Sequence, residues 1–269
     1  ITRAAMNREV PGLFRKALSA WVALYMVALL GLGDAAWGAA PVHVLSAHAF
    51  GAGWVNGTLD ALDERSGPFL CMLVLGIAVW RWRGAGLWPG LLLWLLFRLI
   101  TARTWLASNG GIQLMETMLL WCALLAPAER TDGAGAFVAR FAFWAARLQL
   151  VLVYAVTALH KAQGSTWPDG RAVLLVAKDP AFHLGALAAY PGLCAVLTWG
   201  AIGFMALFPL AVWWSPTRRI ILAVGVVFHL LTALFMDIPQ MGLAFIACYT
   251  IWLEAEDVRA LGTLLRRSR

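Results

Sequence analysis

Residues 135 to 160 read GAFVARFAFWAARLQLVLVYAVTALH, and apolar side chains dominate this run. Arg140 and Arg147 are the charged residues within it. An α-helix needs about 20 predominantly apolar residues to cross the hydrocarbon core of a bilayer. The stretch therefore predicts a membrane-spanning helix, and it indicates an all-α membrane protein.

The composition of the whole chain agrees with this class. Of its 269 residues, 62% are apolar and 13% are charged. An ordinary soluble domain has about 25% charged residues, so a water-soluble globule is excluded. The formal charge of +7 does not indicate nucleic-acid binding, because the Lys and Arg residues fall mainly between and beyond the apolar runs, as orientation signals do.

Apolar windows occur at eight places along the chain. They cover residues 14 to 37, 67 to 82, 86 to 105, 112 to 127, 135 to 160, 191 to 214, 219 to 236 and 239 to 253. Two of them are weak. Window 67 to 82 is short and window 112 to 127 carries two polar residues, so either could be tilted or partly re-entrant. We expect a polytopic helical bundle of about eight transmembrane helices that forms a single membrane domain, residues 1 to 269.

Positive charge predicts the orientation of the bundle. With a cytoplasmic N-terminus, the cationic connections fall on the inner side, and an even number of spans places the C-terminus there too. These inner cations are Arg81, Arg83, Arg130, Arg218, Arg219, Arg259, Arg266, Arg267 and Arg269. The outer side then receives a loop at 38 to 66, a segment at 161 to 190 and a tight turn at 237 to 239. The segment 161 to 190 mixes apolar and cationic residues, so we expect it to rest in the interface rather than cross.

Cysteine and histidine spacing predicts no metal site. The four cysteines lie inside apolar windows without C-x-x-C spacing, and no H-x-x-x-H or HExxH spacing occurs. They are Cys71, Cys122, Cys194 and Cys248. We expect the cysteines to serve only in packing.

Polar residues recur at intervals of seven along the helix predicted at 135 to 160. Arg140, Arg147, Tyr154 and Lys161 follow this spacing, which keeps them on one face with a drift of about 20° per step. A charge that faces lipid is costly, so the stripe is expected to face the protein interior or a wet cavity. The alternative is that Arg140 and Lys161 only mark the two ends of the helix by extending toward the headgroups.

Gln113 and Glu116, one turn apart in the fourth window, are the expected partners of this stripe. A pair between Glu116 and Arg147 would be neutral and structural, and we favour that role over catalysis. Arg98 and Arg103 in the third window could bind an anion, a carboxylate or a lipid phosphate.

Two stretches resemble a known family. Residues 148 to 173, LQLVLVYAVTALHKAQGSTWPDGRAV, are similar to a helix and following turn of the horizontally transferred transmembrane domain. This domain is the membrane part of vitamin K-dependent γ-glutamyl carboxylase. Residues 226 to 253, VVFHLLTALFMDIPQMGLAFIACYTIWL, resemble its later histidine-bearing helix and the helix after it. Asn109 followed by Gly110 is a third, weaker match.

The resemblance implies a reaction and the residues for it. In the carboxylase, a lysine deprotonates a reduced quinone, which reacts with oxygen to give a strong base that removes a γ-proton from a peptide glutamate. The matching lysine here is Lys161. An amine at the mouth of an apolar cavity loses hydration, its pKa falls and it can act as a general base. The residues implied to bind the quinone or substrate are Tyr154, His160, Trp167, Asn109 and His229.

The resemblance also implies a cellular location and binding partners for the protein, and it leaves a non-catalytic function open as an alternative. We expect a multi-pass protein of a bacterial inner membrane that contacts lipid, a quinone and a secreted peptide at the outer face. The carboxylases carry a large soluble portion after the membrane domain and a histidine after the matching asparagine, whereas Gly110 and Gly111 follow Asn109 here. The alternative is a non-catalytic membrane subunit or peptide-maturation partner that keeps only the fold. A transporter is disfavoured, because the chain lacks paired broken helices in matching halves.

Overall fold

A computed structural model of the chain describes residues 9–37, 65–84, 86–104, 108–125 and 133–267. All regular structure within these ranges is helical, which confirms the predicted all-α class. The outer loop predicted at 38 to 66 lies almost entirely outside the described residues.

Eleven α-helices and two short 3-10 helices occur in the described ranges. The α-helices are α1 (Glu9–Leu30), α2 (Asp34–Trp37), α3 (Ser66–Arg83), α4 (Leu87–Arg103), α5 (Gly110–Leu124), α6 (Ala134–Gln163), α7 (Ala172–Lys178), α8 (Pro191–Ala211), α9 (Ser215–Phe235), α10 (Pro239–Tyr249) and α11 (Ala255–Arg267). The 3-10 helices are Gly185–Ala189 and Thr250–Trp252.

Four helices of the described part are long and apolar enough to cross a membrane: α1, α6, α8 and α9. They indicate a membrane protein. Helix α5 is apolar but has 15 residues, so at 1.5 Å per residue it spans about 22 Å against a hydrocarbon core of about 30 Å. Each of the eight windows contains a helix, but eight crossings and the orientation of the termini stay predictions.

The first predicted span is interrupted, which corrects the single helix expected at 14 to 37. Helix α1 ends at Leu30, and the amide of Gly31 donates to the carbonyl oxygens of Val27 and Ala28. Gly33 adopts a positive φ of 50°, a conformation that glycine reaches without steric cost. The chain then forms the separate short helix α2.

The chain divides into two compact units. Unit 1 comprises Ile1–Ala146 and Leu253–Arg269, and unit 2 comprises Arg147–Trp252, so the boundary falls within α6. The single membrane domain stays a prediction.

Unit 1 is built on the packing of α1 against α3 and of α4 against α5. Its core contains the fully buried side chains of Phe14, Leu18 and Phe97. Trp37 of α2 is also buried, and a Cβ atom at Gly67 would overlap its indole ring. The absence of a side chain at Gly67 therefore allows α2 to pack closely on α3.

Unit 2 places α9 beside α10 and α8, with α7 against α8. A tight turn joins α9 to α10 where the sequence predicted one, with Asp237 at a φ of 52° and Pro239 as the first residue of α10. Helix α7 has seven residues and spans about 10 Å, so it is too short to cross a bilayer. Thr198 of α8 holds α7, because its hydroxyl accepts from the amide of Val173 at 3.0 Å.

Candidate functional site

A buried hydrogen-bonded cluster joins three helices of unit 2. The hydroxyl of Tyr154 on α6 lies 2.6 Å from Nε2 of His229 on α9 and also hydrogen-bonds the hydroxyl of Tyr249 on α10. Tyr154 and His229 are each 2% exposed, and Tyr249 is buried too. We call Tyr154, His229 and Tyr249 the tyrosine–histidine cluster.

Two glycines create the room for this cluster. Gly225 lies one helical turn before His229, and a Cβ atom there would overlap the phenol of Tyr249. Gly242 on α10 faces the backbone of α9, and its Cβ atom would overlap the carbonyl oxygen of His229. Helices α9 and α10 can therefore approach closely enough for Tyr249 to reach Tyr154.

Phenylalanine rings surround the cluster. The ring of Phe245 stacks on the imidazole of His229, with centroids 4.3 Å apart and planes 10° apart. The ring of Phe208 lies 4.1 Å from that of Tyr154. Rings of Phe204 and Phe228 complete the aromatic surroundings. The three polar groups therefore interact in an apolar environment, where hydrogen bonds are strong and an unsatisfied polar group is costly.

One nitrogen of the cluster is unsatisfied. Nδ1 of His229 is buried and has no hydrogen-bond partner among the described residues. Whichever ring nitrogen carries the proton, Nδ1 is left with an unused donor or acceptor. The cluster can therefore offer one further hydrogen bond to a small polar group, and its hydroxyls and imidazole are groups able to exchange protons.

The amine of Lys161 and the indole of Trp167, two residues implied by the family resemblance, meet at the end of α6. Nζ of Lys161 lies 3.4 Å from the ring centroid of Trp167, as a cation–π contact, and both side chains are half-buried. The turn that carries Trp167 is held on α8, because the indole of Trp199 donates to the carbonyl oxygen of Pro168 at 2.9 Å. His160, next to Lys161, is exposed. Lys161 follows Tyr154 by two helical turns, about 10 Å along the axis.

Arg147 is the first residue of α6 that belongs to unit 2, and Lys161 lies near the other end of this part of the helix. Its Nε donates to the carbonyl oxygen of Ile251 at 3.1 Å, and its guanidinium lies 4.8 Å from the ring centroid of Trp252. Trp213 packs edge-on against the same indole ring, with centroids 4.9 Å apart. Arg147 therefore ties α6 to the segment after α10.

The described ion pair of Glu116 is formed with an arginine other than the expected Arg147. Glu116 on α5 instead accepts from the guanidinium of Arg98 on α4 at 3.0 Å and from the hydroxyl of Thr101 at 2.5 Å. Arg98 and Thr101 are one turn apart on α4, so both reach the same carboxylate oxygen. This pair lies within unit 1, where it links α4 to α5.

Two other residues that the sequence analysis associated with the polar stripe, Gln113 and Arg140, take no part in the described ion pair. Gln113 is exposed on α5, and Arg140 is exposed on α6. The seven-residue spacing therefore does not produce a uniformly buried stripe, since Arg140 is exposed, Arg147 and Lys161 are half-buried and Tyr154 is buried. The spacing sets the face of the helix, but the neighbouring helices decide how much of it they cover.

Asn109 has a local structural role. It is the N-cap of α5, and its side-chain oxygen accepts from the amides of Gly111 and Ile112 at 3.0 and 3.2 Å. An N-cap asparagine satisfies amides that the first helical turn leaves unpaired. The N-cap is the contact that the structure describes for Asn109, and its role in ligand binding stays a prediction.

The structure brings together two of the ligand-binding residues expected from sequence, Tyr154 and His229, and separately joins Lys161 to Trp167. Sequence reasoning missed Tyr249. Its position within an apolar window could have indicated it, because a tyrosine there needs a hydrogen-bond partner for its hydroxyl. It also missed Arg98 as the partner of Glu116.

Among the described residues, no group of three or more His, Cys, Asp or Glu side chains is arranged to hold a metal ion. Comparison of the chain with protein-family models, with curated proteins and with solved structures gives no match.

Proposed function

We propose that this protein is a carboxylase-like membrane enzyme that binds a reduced quinone beside Lys161 and Trp167 and uses Lys161 as a general base. The observation that carries the proposal is the contact between Nζ of Lys161 and the ring of Trp167, at 3.4 Å and half-buried. The resemblance described from sequence supplies the reaction class, with a secreted peptide as the second substrate.

The chemistry of these residues suits such a role. A neutral lysine amine can accept a proton from a hydroquinone hydroxyl, and the ammonium that results is stabilised over the electron-rich face of an indole. Trp167 also offers a flat aromatic surface on which a quinone ring can stack. The unsatisfied Nδ1 of His229 provides a buried hydrogen-bonding atom in the same unit. When bound, the quinone would supply the oxygen-dependent chemistry.

Variants of Lys161 test the proposal in the full chain, purified and reconstituted with a reduced naphthoquinone. The measurement is oxygen-dependent consumption of the hydroquinone. Lys161→Ala is expected to lower the rate by about 10²–10⁴-fold, the usual contribution of a general base. Lys161→Arg is expected to lower it similarly, because arginine keeps the cation over Trp167 but does not deprotonate.

Lys178→Ala is the matched control, because Lys178 is an exposed lysine at the end of α7. It is expected to retain the rate of the unmodified chain. Full turnover by Lys161→Arg would remove the base assignment, since that variant preserves the contact but not the proton acceptor.

A second candidate function is a non-catalytic membrane subunit. It is favoured by the tyrosine–histidine cluster, in which the two tyrosine hydroxyls hydrogen-bond within the protein and so link α6, α9 and α10 without a ligand. Purification in mild detergent would then bring down a stoichiometric partner protein. An isolated chain with hydroquinone-dependent turnover would contradict this candidate.

A further inference from the structure

Unit 1 has an exposed group of cations and indoles where α3 ends and α4 begins. Trp80, Trp82 and Arg83 are on the last turn of α3, Trp88 is on the first turn of α4, and Lys16 is on α1. All five side chains are exposed, and that of Trp88 is 78% exposed. We call these five residues the basic aromatic patch.

Two guanidinium groups hold the turn on which the patch is built. Arg15 of α1 donates to the carbonyl oxygen of Gly84 at 3.0 Å, and Arg81 donates to that of Gly86 at 2.9 Å. Lys16 follows Arg15, and Gly84 follows Arg83. The first of these bonds therefore places the cations of Lys16 and Arg83 at the same end of unit 1.

The two cations of the patch have no carboxylate partner within the described part of the chain. Carboxylates of unit 1 engage other groups: Glu9 pairs with Arg259, and Glu116 pairs with Arg98. The patch is therefore positively charged, and an anion is the complementary ligand.

Exposed apolar side chains continue from the patch along both helices. They are Phe69, Met72, Leu73 and Val79 on α3 and Leu92 and Leu95 on α4. Indole rings are favoured at the depth of the lipid headgroups, with apolar side chains facing the acyl chains beside them. A ligand that matches the whole surface has an anionic head and long hydrocarbon tails.

We infer that the basic aromatic patch binds the headgroup of an anionic phospholipid, with the lipid phosphate at Arg83 and Lys16 and the acyl chains along α3 and α4. Guanidinium and ammonium groups donate to phosphate oxygens, and juxtamembrane cations attract anionic lipids. The indoles of Trp80, Trp82 and Trp88 border the headgroup.

The test uses the full chain in phosphatidylcholine vesicles that contain spin-labelled phosphatidylglycerol or spin-labelled phosphatidylcholine. The fraction of motionally restricted label reports lipid held on the protein. The unmodified chain is expected to prefer phosphatidylglycerol. The double variant Lys16→Gln/Arg83→Gln is expected to lose this preference by roughly fivefold for each neutralised cation, whereas Lys16→Arg/Arg83→Lys retains it.

A charge-matched control is Arg171→Gln/Lys178→Gln, which removes two exposed cations from unit 2 and is expected to retain the preference. The inference is overturned if the Lys16 and Arg83 double variant keeps the full preference, or if this control loses it equally. Displacement of the labelled lipid by inorganic phosphate would also overturn it, because the site would then bind a free anion.

Discussion

At the scale of single residues, Tyr154 has the central position in unit 2. Its hydroxyl takes part in both hydrogen bonds of the tyrosine–histidine cluster, to His229 and to Tyr249. Leaving a buried polar group unsatisfied costs about 1–3 kcal/mol. Because two partners share the Tyr154 hydroxyl, its loss affects both of them. Tyr249 takes part in one of these bonds.

Tyr154→Phe is therefore expected to destabilise the protein more than Tyr249→Phe. The first variant leaves both His229 Nε2 and the Tyr249 hydroxyl without Tyr154, at a cost of about 1–3 kcal/mol. The second leaves the bond between Tyr154 and His229 in place. The measurement is the apparent melting temperature in detergent, with Tyr190→Phe as the control because Tyr190 is 63% exposed. Equal melting temperatures for Tyr154→Phe and the unmodified chain would contradict a structural role for the cluster.

At the scale of helices, glycines set the distance between α9 and α10. Gly225 and Gly242 occupy positions where a Cβ atom would overlap Tyr249 and the His229 backbone, respectively. The contact of Gly242 is with backbone, which cannot move aside as a flexible side chain can, and the contact of Gly225 is with the buried phenol of Tyr249. Close approach of these two helices therefore depends on the lack of a side chain.

Gly225→Ala and Gly242→Ala are each expected to destabilise the protein by about 1–3 kcal/mol, the usual cost of forcing extra volume into a packed contact. Gly203→Ala on α8 is the control, because nothing lies within 4 Å of the Cβ position there. In a helix, alanine is favoured over glycine by about 1 kcal/mol, so this control is expected to be neutral or stabilising. Melting temperatures in detergent distinguish the two outcomes, and an unchanged value for Gly242→Ala would exclude close packing at that point.

The ion pair of Arg98 and Glu116 links α4 to α5, with 32% and 13% of the side chains exposed. Removing one member of such a pair leaves an uncompensated charge, whereas removing both does not. Glu116→Leu is therefore expected to destabilise the protein more than Arg98→Met/Glu116→Leu. A double-mutant cycle on apparent unfolding free energies is expected to give a coupling of about 0.5–3 kcal/mol. Additive effects of the two single changes would argue that the pair contributes nothing.

At the scale of the whole molecule, the distribution of charge predicts which side of the membrane each connection occupies. Arg83 at the end of α3 is expected inside, and Lys178 at the end of α7 is expected outside. Both side chains are exposed, so each position can report its side. The four native cysteines are buried, which lowers the background of thiol labelling.

Lys178→Cys is expected to react with a membrane-impermeant maleimide on intact cells, whereas Arg83→Cys is expected to react only after the membrane is opened. The measurement is the labelled fraction before and after lysis. The same pattern of accessibility at both positions would disprove the predicted orientation.

The sequence by itself determined the helical class and the approximate positions of the eight apolar helices, because apolar windows are local properties of the chain; it did not predict α7 or α11. It also identified Tyr154, Lys161, Trp167 and His229 as residues of interest. The sequence did not predict the break after Leu30, because the apolar window continues through Gly31 and Gly33. A glycine in such a window can remain helical or end the helix, and here Gly33 adopts a positive φ.

Only the tertiary structure decided which polar groups meet. Tyr154 is 75 residues from His229 and 95 residues from Tyr249 in the sequence, and its hydrogen bonds to them depend on how closely α9 and α10 pack. The sequence predicted Arg147 as the partner of Glu116, whereas the packing of α4 on α5 pairs Glu116 with Arg98. Periodicity places a side chain on a face of its own helix, but the neighbours of that face are set by contacts between distant segments.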